Sequence, residues 1–233
     1  IPSNFVGMHF RLAKDSKSLR NSESKSSEIA IDEISKLGLT TILIGTKSFP
    51  ERLKSSLNKL RVNKKVLDTT KLFISRYERE CLQLYVWSHS RFFVGCLSGG
   101  TNPAGTFGTP TIWLDCHPQK HFRSPFKFDH MLTKRIFYKK ENRFLHFKEI
   151  FEEKHIPSQS ENSTYVQKNG YKVIGCDPKE IKKSIRKIYS RTENKKQNMK
   201  WDDIDRNKCI KAMQILIKEG RFKEFEFGAS YKI

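Results

Sequence analysis

The sequence predicts an α/β protein built on a parallel sheet with flanking helices, and three observations carry that prediction. Short, almost continuously apolar runs recur along the first half of the chain, as strands covered on both faces require. Segments with apolar residues at helical spacing separate them. Small polar residues cluster where an apolar run ends, most densely in Ser98-Gly99-Gly100-Thr101-Asn102, which follows Phe92-Phe93-Val94-Gly95-Cys96. Alternation of strand and helix implies parallel strands joined by right-handed crossovers.

The elements follow in order. Phe5 to Arg11 reads as a strand, and Ala13 to Ser27 as a polar loop. Ile29, Ile31, Ile34 and Leu37 form a helical stripe with serines in front and Gly38 behind. Thr41 to Gly45 is a short apolar strand, Glu51 to Leu60 a helix after Pro50, and Lys65 to Asp68 a short strand. Arg76 to Ser88 is an amphipathic helix with Leu82, Tyr85 and Val86 on one face. Phe92 to Cys96 is a strand, Ser98 to Gly105 opens a helix, and Thr111 to Leu114 is a further strand.

Beyond Asp115 the pattern loosens. Pro118 to Asn142 reads as a basic, aromatic excursion, Leu145 to Phe151 as a short helix, and Gln159 to Gly170 as a polar loop. Tyr171 to Ile174 is a strand. Asp177 caps a helix that has Pro178 at its first position and runs to about Tyr189. Gln197 to Trp201 is a linker before a last helix, Asp202 to Lys218. Two domains are expected, a Rossmann-like one over 1–196 and a helical extension over 197–233. The chain opens at Ile1, close to a strand-like run, and reads as a fragment of a longer protein.

Composition narrows the function classes. The chain has 233 residues, 36% hydrophobic and 12% aromatic, which suits a folded domain. It contains no apolar run near the roughly 20 residues of a membrane-spanning helix. The formal net charge is +20. Such charge points to nucleic acid, an anionic membrane surface, an anionic substrate, or simply a solvated Lys-rich surface. Lys outnumbers Arg about two to one, whereas base and phosphate recognition in nucleic acid favours the Arg fork. Lys134-Arg135-Ile136-Phe137-Tyr138-Lys139-Lys140 is the one basic cluster with interleaved aromatics.

The five cysteines, Cys81, Cys96, Cys116, Cys176 and Cys209, form no CxxC pair. Cys81 and Cys96 sit in apolar surroundings and read as core residues in a reducing, cytoplasmic compartment. His117 and His121 have i, i+4 spacing, but Pro118 lies between them and the helical metal pair's Glu is missing. No metal and no cofactor is expected.

Two places carry the candidate chemistry. In open α/β sheets ligands sit at the carboxyl ends of the strands. Backbone approaches a phosphate closely where side chains are absent, so the Ser98–Thr101 turn would aim N–H groups and hydroxyls at an anion. The alternative is a glycine turn that only connects strand to helix. At the end of the first strand, His9 and Arg11 share a face, and Arg11 can fork onto a diphosphate.

These residues resemble a family. Gly7-Met8-His9-Phe10-Arg11, Leu19-Arg20-Asn21-Ser22-Glu23, Ile44-Gly45-Thr46, Ser90 to Gly99, and Phe107-Gly108-Thr109-Pro110 match in order and spacing. They resemble a bacterial family classed as glycosyltransferases and found mostly in surface-polysaccharide loci. Phe144 to Ile150 and Asp177-Pro178-Lys179-Glu180-Ile181 resemble two further segments of it, so the match covers most of Phe5 to Tyr189. The His-x-Arg element is also similar to GDP-fucose-dependent fucosyltransferases. The chain departs from them after Arg11, which is followed by Leu12-Ala13-Lys14-Asp15, and from the bacterial pattern at Leu19, where that family has Tyr.

The resemblance implies the C-terminal, nucleotide-sugar-binding half of a GT-B glycosyltransferase. Arg11 would grip the donor diphosphate, and His9 would lie near the nucleotide or ribose. Arg20, Asn21, Gly45, Thr46, Ser98, Gly99, Gly100 and Thr101 would complete the donor site. The expected partners are a nucleotide-sugar donor, a glycan or lipid-linked acceptor, and an anionic membrane surface at whose inner face a cytoplasmic enzyme would sit. Nucleic acid is disfavoured. Arg11 would stabilise the leaving diphosphate; the general base of GT-B enzymes often lies in the other half, and Asp15 and Glu23 are the candidates that this chain offers by nearness in sequence. A non-catalytic nucleotide- or sugar-binding module and a basic nucleic-acid-binding α/β protein are the competing classes.

Overall fold

Alternate side chains of the central strands leave for opposite faces, and both faces are dry. In the computed structural model, which describes residues 4–11, 18–45, 65–117, 129–146, 149–150 and 163–193, strand β1 spans Phe5–His9. Val6 and Met8 join one apolar cluster and Phe5 the other. Strand β2, Thr40–Ile44, divides in the same way, with Leu43 on the first face and Ile42 and Ile44 on the second. This period-2 split with no polar face is why the runs read as nearly continuous apolar sequence.

The first cluster is covered by α1, Ser24–Lys36, and by the final described helix α5, Pro178–Glu193. Ala30, Ile31 and Ile34 of α1 meet Ile181, Ile185 and Ile188 of α5, all at most 1% exposed. The second cluster is covered by α2, Arg76–His89, through Val86, and by the five-residue α3, Asn102–Thr106, through Ala104.

Strand β3 is Val66–Asp68, β4 Phe93–Gly95, β5 Thr111–Cys116 and β6 His130–Thr133. The sheet order is β3-β2-β1-β4-β5-β6, and every pairing is parallel. The expected adjacency of the four central strands holds, with Met8 opposite both Leu43 and Val94. In this doubly wound order the direction of winding reverses between β1 and β4, which opens a crevice at their carboxyl ends.

A smaller antiparallel sheet follows, with β7, Arg135–Tyr138, between β8, Arg143–Phe144, and β9, Tyr171–Ile174. Its core holds Leu19, Ile136, Leu145, Ile150, Val166 and Tyr171. Leu19, which stands where the resembled family has Tyr, thus plugs this second core.

Several elements differ from the sequence reading. The first strand ends at His9, so Arg11 lies beyond it and shares no strand face with His9. Helix α1 starts at Ser24 because a distant carboxylate caps it, as described below. The stretch read as an excursion contains β6 and β7, whose runs of four residues each are too short to show a clear period; residues 118–128 lie outside the described residues. The stretch read as a polar loop contains helix α4, Ser163–Lys168. Cys81 is exposed and not a core residue, and Tyr85 is 38% exposed, stacked on His89 at 4.3 Å. The four cysteines among the described residues are free. The expected helices over 51–60 and 202–218, the linker and the extension from 197 fall outside the described residues, and most of the one expected over 145–151 does as well. Among the described residues no helix is long and apolar enough to cross a membrane.

The layers are tied at Asp115, which is 1% exposed and has φ +52°, a left-handed conformation that Asp tolerates better than most residues. Its Oδ2 accepts from the Glu23 amide at 2.8 Å. Its Oδ1 accepts from Ser26 Oγ and from the Cys176 amide, both at 3.0 Å. Glu23 is the N-cap of α1 and offers no side-chain cap itself, so Asp115 caps the helix from 92 residues away. Asp115→Ala should orphan three buried donors and cost about 3 kcal/mol or more. Leu84→Ala, at a 48% exposed site, should stay within about 0.5 kcal/mol. Urea unfolding of both variants checks this, and an Asp115→Ala protein as stable as its parent would remove the cap from the account.

Candidate functional site

His9 ends β1 and Ser98 follows β4, so they stand on either side of the reversal point, and His9 Nδ1 lies 3.1 Å from Ser98 Oγ. Two glycines permit this approach. A Cβ on Gly100 would fall 2.3 Å from His9 Nε2. One on Gly95 would fall 2.3 Å from Thr101 Oγ1, and Thr101 is itself fully buried, 3.5 Å from Ser98 Oγ. The turn is fixed from outside by Trp87 of α2, whose Nε1 donates to the Gly100 carbonyl at 2.9 Å.

Glycine therefore serves two purposes here. Gly95 and Gly100 make room for protein side chains, while a Cβ on Gly99 would have nothing within 4 Å. Gly99 alone keeps open space in front of the turn. The helix that follows the turn offers little at its start. Helix α3 has only five residues, and the amides of Thr101 and Asn102 already donate to the Ser98 carbonyl at 3.1 and 3.3 Å.

Arg11 is held by the segment that carries Arg20. Its amide donates to Ser22 Oγ at 3.1 Å, and the Ser22 amide donates back to its carbonyl at 2.9 Å. Arg20 reaches across to the turn, where Nη2 lies 3.5 Å from the Leu97 carbonyl. Nε of Arg11 and Nε of Arg20 are both buried and without a hydrogen-bond partner. Buried donors are rarely left so, and a guanidinium is charged at any accessible pH.

Burial and the nearby Arg11 guanidinium push the His9 pKa down to about 4. His9 is therefore neutral at pH 7. It adds no charge to the crevice and presents one donor and one acceptor nitrogen, one of which faces Ser98. The crevice charge comes from Arg11 and Arg20.

The Arg20–Glu23 segment is pinned by a residue that the sequence placed in a basic cluster. Lys134 is 2% exposed, and its Nζ donates to the Asn21 carbonyl and to Glu23 Oε1, both at 2.8 Å. Glu23 is thus an ion-pair partner of a buried lysine, which argues against its serving as a general base. Arg135 pairs with Asp177 at 2.9 Å. Two of the four cations in the expected nucleic-acid cluster are consumed inside the fold, and the segment is a strand and not a loop.

Of the expected site residues, His9, Arg11, Arg20, Ser98, Gly99, Gly100 and Thr101 converge on this crevice. Gly45 lies beside it at the end of β2, with φ +144° and His9 Cδ2 3.6 Å from its Cβ position. Asn21 contributes its carbonyl to Lys134. Asp15, Thr46 and His121 lie outside the described residues. His117 is buried, and no group of potential metal ligands occurs among the described residues. Asp115, Lys134 and Trp87 escaped the sequence reading. The signal for Asp115 was its position, a carboxylate at the carboxyl end of an apolar strand.

No family model matches the chain, and no curated protein matches it. Among solved structures it is similar to a glycosyl transferase family 9 protein from Veillonella parvula, at 12% identity and TM-score 0.48 over 79% of this chain and 46% of that one. It is also similar to the E. coli heptosyltransferase WaaC, solved with ADP, at 12% identity and TM-score 0.36 over 48% of this chain and 32% of that one. A third is Os79 from O. sativa, in complex with UDP and deoxynivalenol-3-glucoside, at 12% identity and TM-score 0.33 over 82% of this chain and 42% of that one. This chain spans less than half the length of each.

The depressed His9 pKa predicts a pH dependence of stability. An unfolded histidine takes up its proton near pH 6.5, whereas His9 in the fold resists until about pH 4. Between these values the unfolded state binds more protons, so the His9 contribution is complete above pH 6.5 and is lost as pH falls towards 4. At about 1.4 kcal/mol per pH unit the loss approaches roughly 3 kcal/mol. Urea unfolding at pH 7 and pH 4.5 should show a larger loss for the parent than for His9→Gln. Equal losses would place His9 in a solvated setting.

Proposed function

We propose that this chain is the donor-binding half of a glycosyltransferase that moves a sugar from a nucleotide diphosphate to an acceptor hydroxyl. The observation that carries the reading is the pair of buried, unpartnered guanidinium Nε groups, on Arg11 and Arg20, beside an open glycine turn at the reversal point of the sheet. A diphosphate is the ligand for which such a pair is suited, because each guanidinium can donate two parallel hydrogen bonds. The order and spacing of the family-like segments support the same reading.

In the reaction the acceptor oxygen forms a bond to the anomeric carbon while the bond from that carbon to the diphosphate oxygen breaks. The diphosphate leaves with the electron pair, and its charge grows as the bond lengthens. Arg11 and Arg20 stabilise that charge, with Ser98 Oγ, oriented by neutral His9, and the Gly99 backbone as further donors. The acceptor proton goes to a general base, a role we assign to Asp15, four residues beyond Arg11. A surface glycan or a lipid-linked saccharide is the acceptor class we assign. The Lys-rich helix α5, with Lys179, Lys182, Lys183 and Lys187, would hold a cytoplasmic enzyme near an anionic leaflet. The helical extension from 197 belongs to the same proposal.

A nucleic-acid role fits less well, since the basic aromatic cluster is drawn into the fold by Glu23 and Asp177. Calorimetric titration of UDP-, GDP-, CMP- and ADP-sugars tests the reading. Arg11→Ala and Arg20→Ala should each weaken binding by about one to two orders of magnitude, since a charged hydrogen bond contributes roughly 1.5–3 kcal/mol. Arg11→Lys should recover little of the loss, because an ammonium cannot fork. Unchanged binding in both alanine variants would put the donor elsewhere.

A further inference from the structure

A lysine is costly to bury, and Lys134 is 2% exposed. Stability alone does not call for it, since apolar packing in place of a buried ion pair is often neutral or stabilising. Its partner Glu23 keeps 45% of its side chain exposed, so water reaches the carboxylate without the lysine's help. What Lys134 supplies is direction, because the hydrogen bonds of its ammonium end on one short segment of chain.

That segment is closed into a ring. The Lys134 amide, at the junction of β6 and β7, donates to the Cys116 carbonyl at 2.9 Å. Nζ then donates to the Asn21 carbonyl and to Glu23 Oε1, both at 2.8 Å. The Glu23 amide returns to Asp115 Oδ2 at 2.8 Å, one residue before Cys116. Residues 21–23 are therefore tied to the end of β5 twice, once directly and once through the lysine.

The tied segment carries the cations of the crevice. Arg20 precedes Asn21, and its Nη2 lies 3.5 Å from the Leu97 carbonyl, just before the Ser98 turn. Ser22 stands between the two residues that Lys134 grips. It exchanges two hydrogen bonds with the main chain of Arg11, at 3.1 and 2.9 Å.

We propose that Lys134 is a positioning residue for the donor diphosphate, which sets the place of Arg20 and, through Ser22, that of Arg11. The inference rests on the donor-binding reading above and adds what fixes the cations of that site. It also gives Glu23 a role. Electrostatics alone would have a carboxylate three residues from Arg20 oppose an anion, whereas by holding Lys134 in register it favours one.

Calorimetric titration with inorganic pyrophosphate tests this, because field and placement predict opposite signs at Glu23. Glu23→Ala removes a negative charge, which by field alone would tighten binding. It also removes one of the two acceptors of Lys134, and pyrophosphate should weaken about three-fold or more. Glu23→Gln keeps an acceptor for Nζ and should retain the parent's affinity. Lys134→Met should weaken pyrophosphate about ten-fold, the lower end of what outer-shell partners contribute at bound ions. Lys172→Met, the same loss of charge at an exposed site on β9, should not. Lys134→Met should also cost an Arg20→Ala protein less than it costs the parent, because contributions made through another residue are not additive.

Urea unfolding accompanies each variant. Where Lys134→Met does not fold, the two Glu23 variants decide, since that side chain is half-exposed and its amide still reaches Asp115. Glu23→Ala that binds pyrophosphate as tightly as the parent or more tightly, with Arg20→Ala impaired, overturns the positioning role and leaves the donor site standing. Lys172→Met as impaired as Lys134→Met does the same, reducing the effect to net charge. Parent protein that binds no pyrophosphate, or that loses nothing in Arg11→Ala and Arg20→Ala, overturns both.

Discussion

The Asp115 carboxylate is the constraint on which the arrangement depends. It sits at the carboxyl end of β5, buried, on a backbone turned to positive φ. Three donors meet it, from the start of α1, from Ser26 within α1, and from the junction between β9 and α5. The two helices that cover one face of the large sheet are thus both fixed at their entry points by one side chain. Their apolar stripes supply most of the burial, but burial has no direction, and the hydrogen bonds set where each helix begins. Gly175 belongs to the same junction, since a Cβ there would come within 2.8 Å of Ser26 Oγ.

The crevice is tied to that junction by hydrogen bonds. Asp115 holds Glu23, Glu23 and Asn21 hold buried Lys134, and the segment so fixed carries Arg20 and pairs with Arg11. Arg11 and Arg20 are each left with a buried Nε donor unpaired. A buried donor without a partner is costly. A neutral His9 is consistent with this economy, since a third cation in the same crevice would add repulsion without adding a fork.

The net charge of +20 turns out to say little about this site. Lys134, Arg135 and Arg186 are engaged by Glu23, Asp177 and Glu33, and Arg91 lies 4.0 Å over the Tyr189 ring and donates to the last turn of α5. Cations at that helix end meet the negative pole of the helix dipole. Among the described residues, lysines such as Lys65, Lys71, Lys139 and Lys179 are exposed and contribute field more than geometry.

The sequence by itself determined the parallel sheet, the positions of its central strands, and the helices around Ile31, Val86 and Ile185. These follow from periodicity and turn chemistry, which are local and are written in runs of a few residues. Tertiary structure alone decided what the glycines of the turn are for. Gly95 and Gly100 answer to Thr101 and His9, from neighbouring elements, and only Gly99 faces open space. It alone decided that Arg11 leaves the strand and is clasped by Ser22, that Lys134 is buried, and that Cys81 is exposed where an apolar neighbourhood suggested a core. It also decided that Asp115 caps a helix 92 residues distant. Each of these depends on a partner far away in the chain, and a contact between distant residues leaves no local period to read.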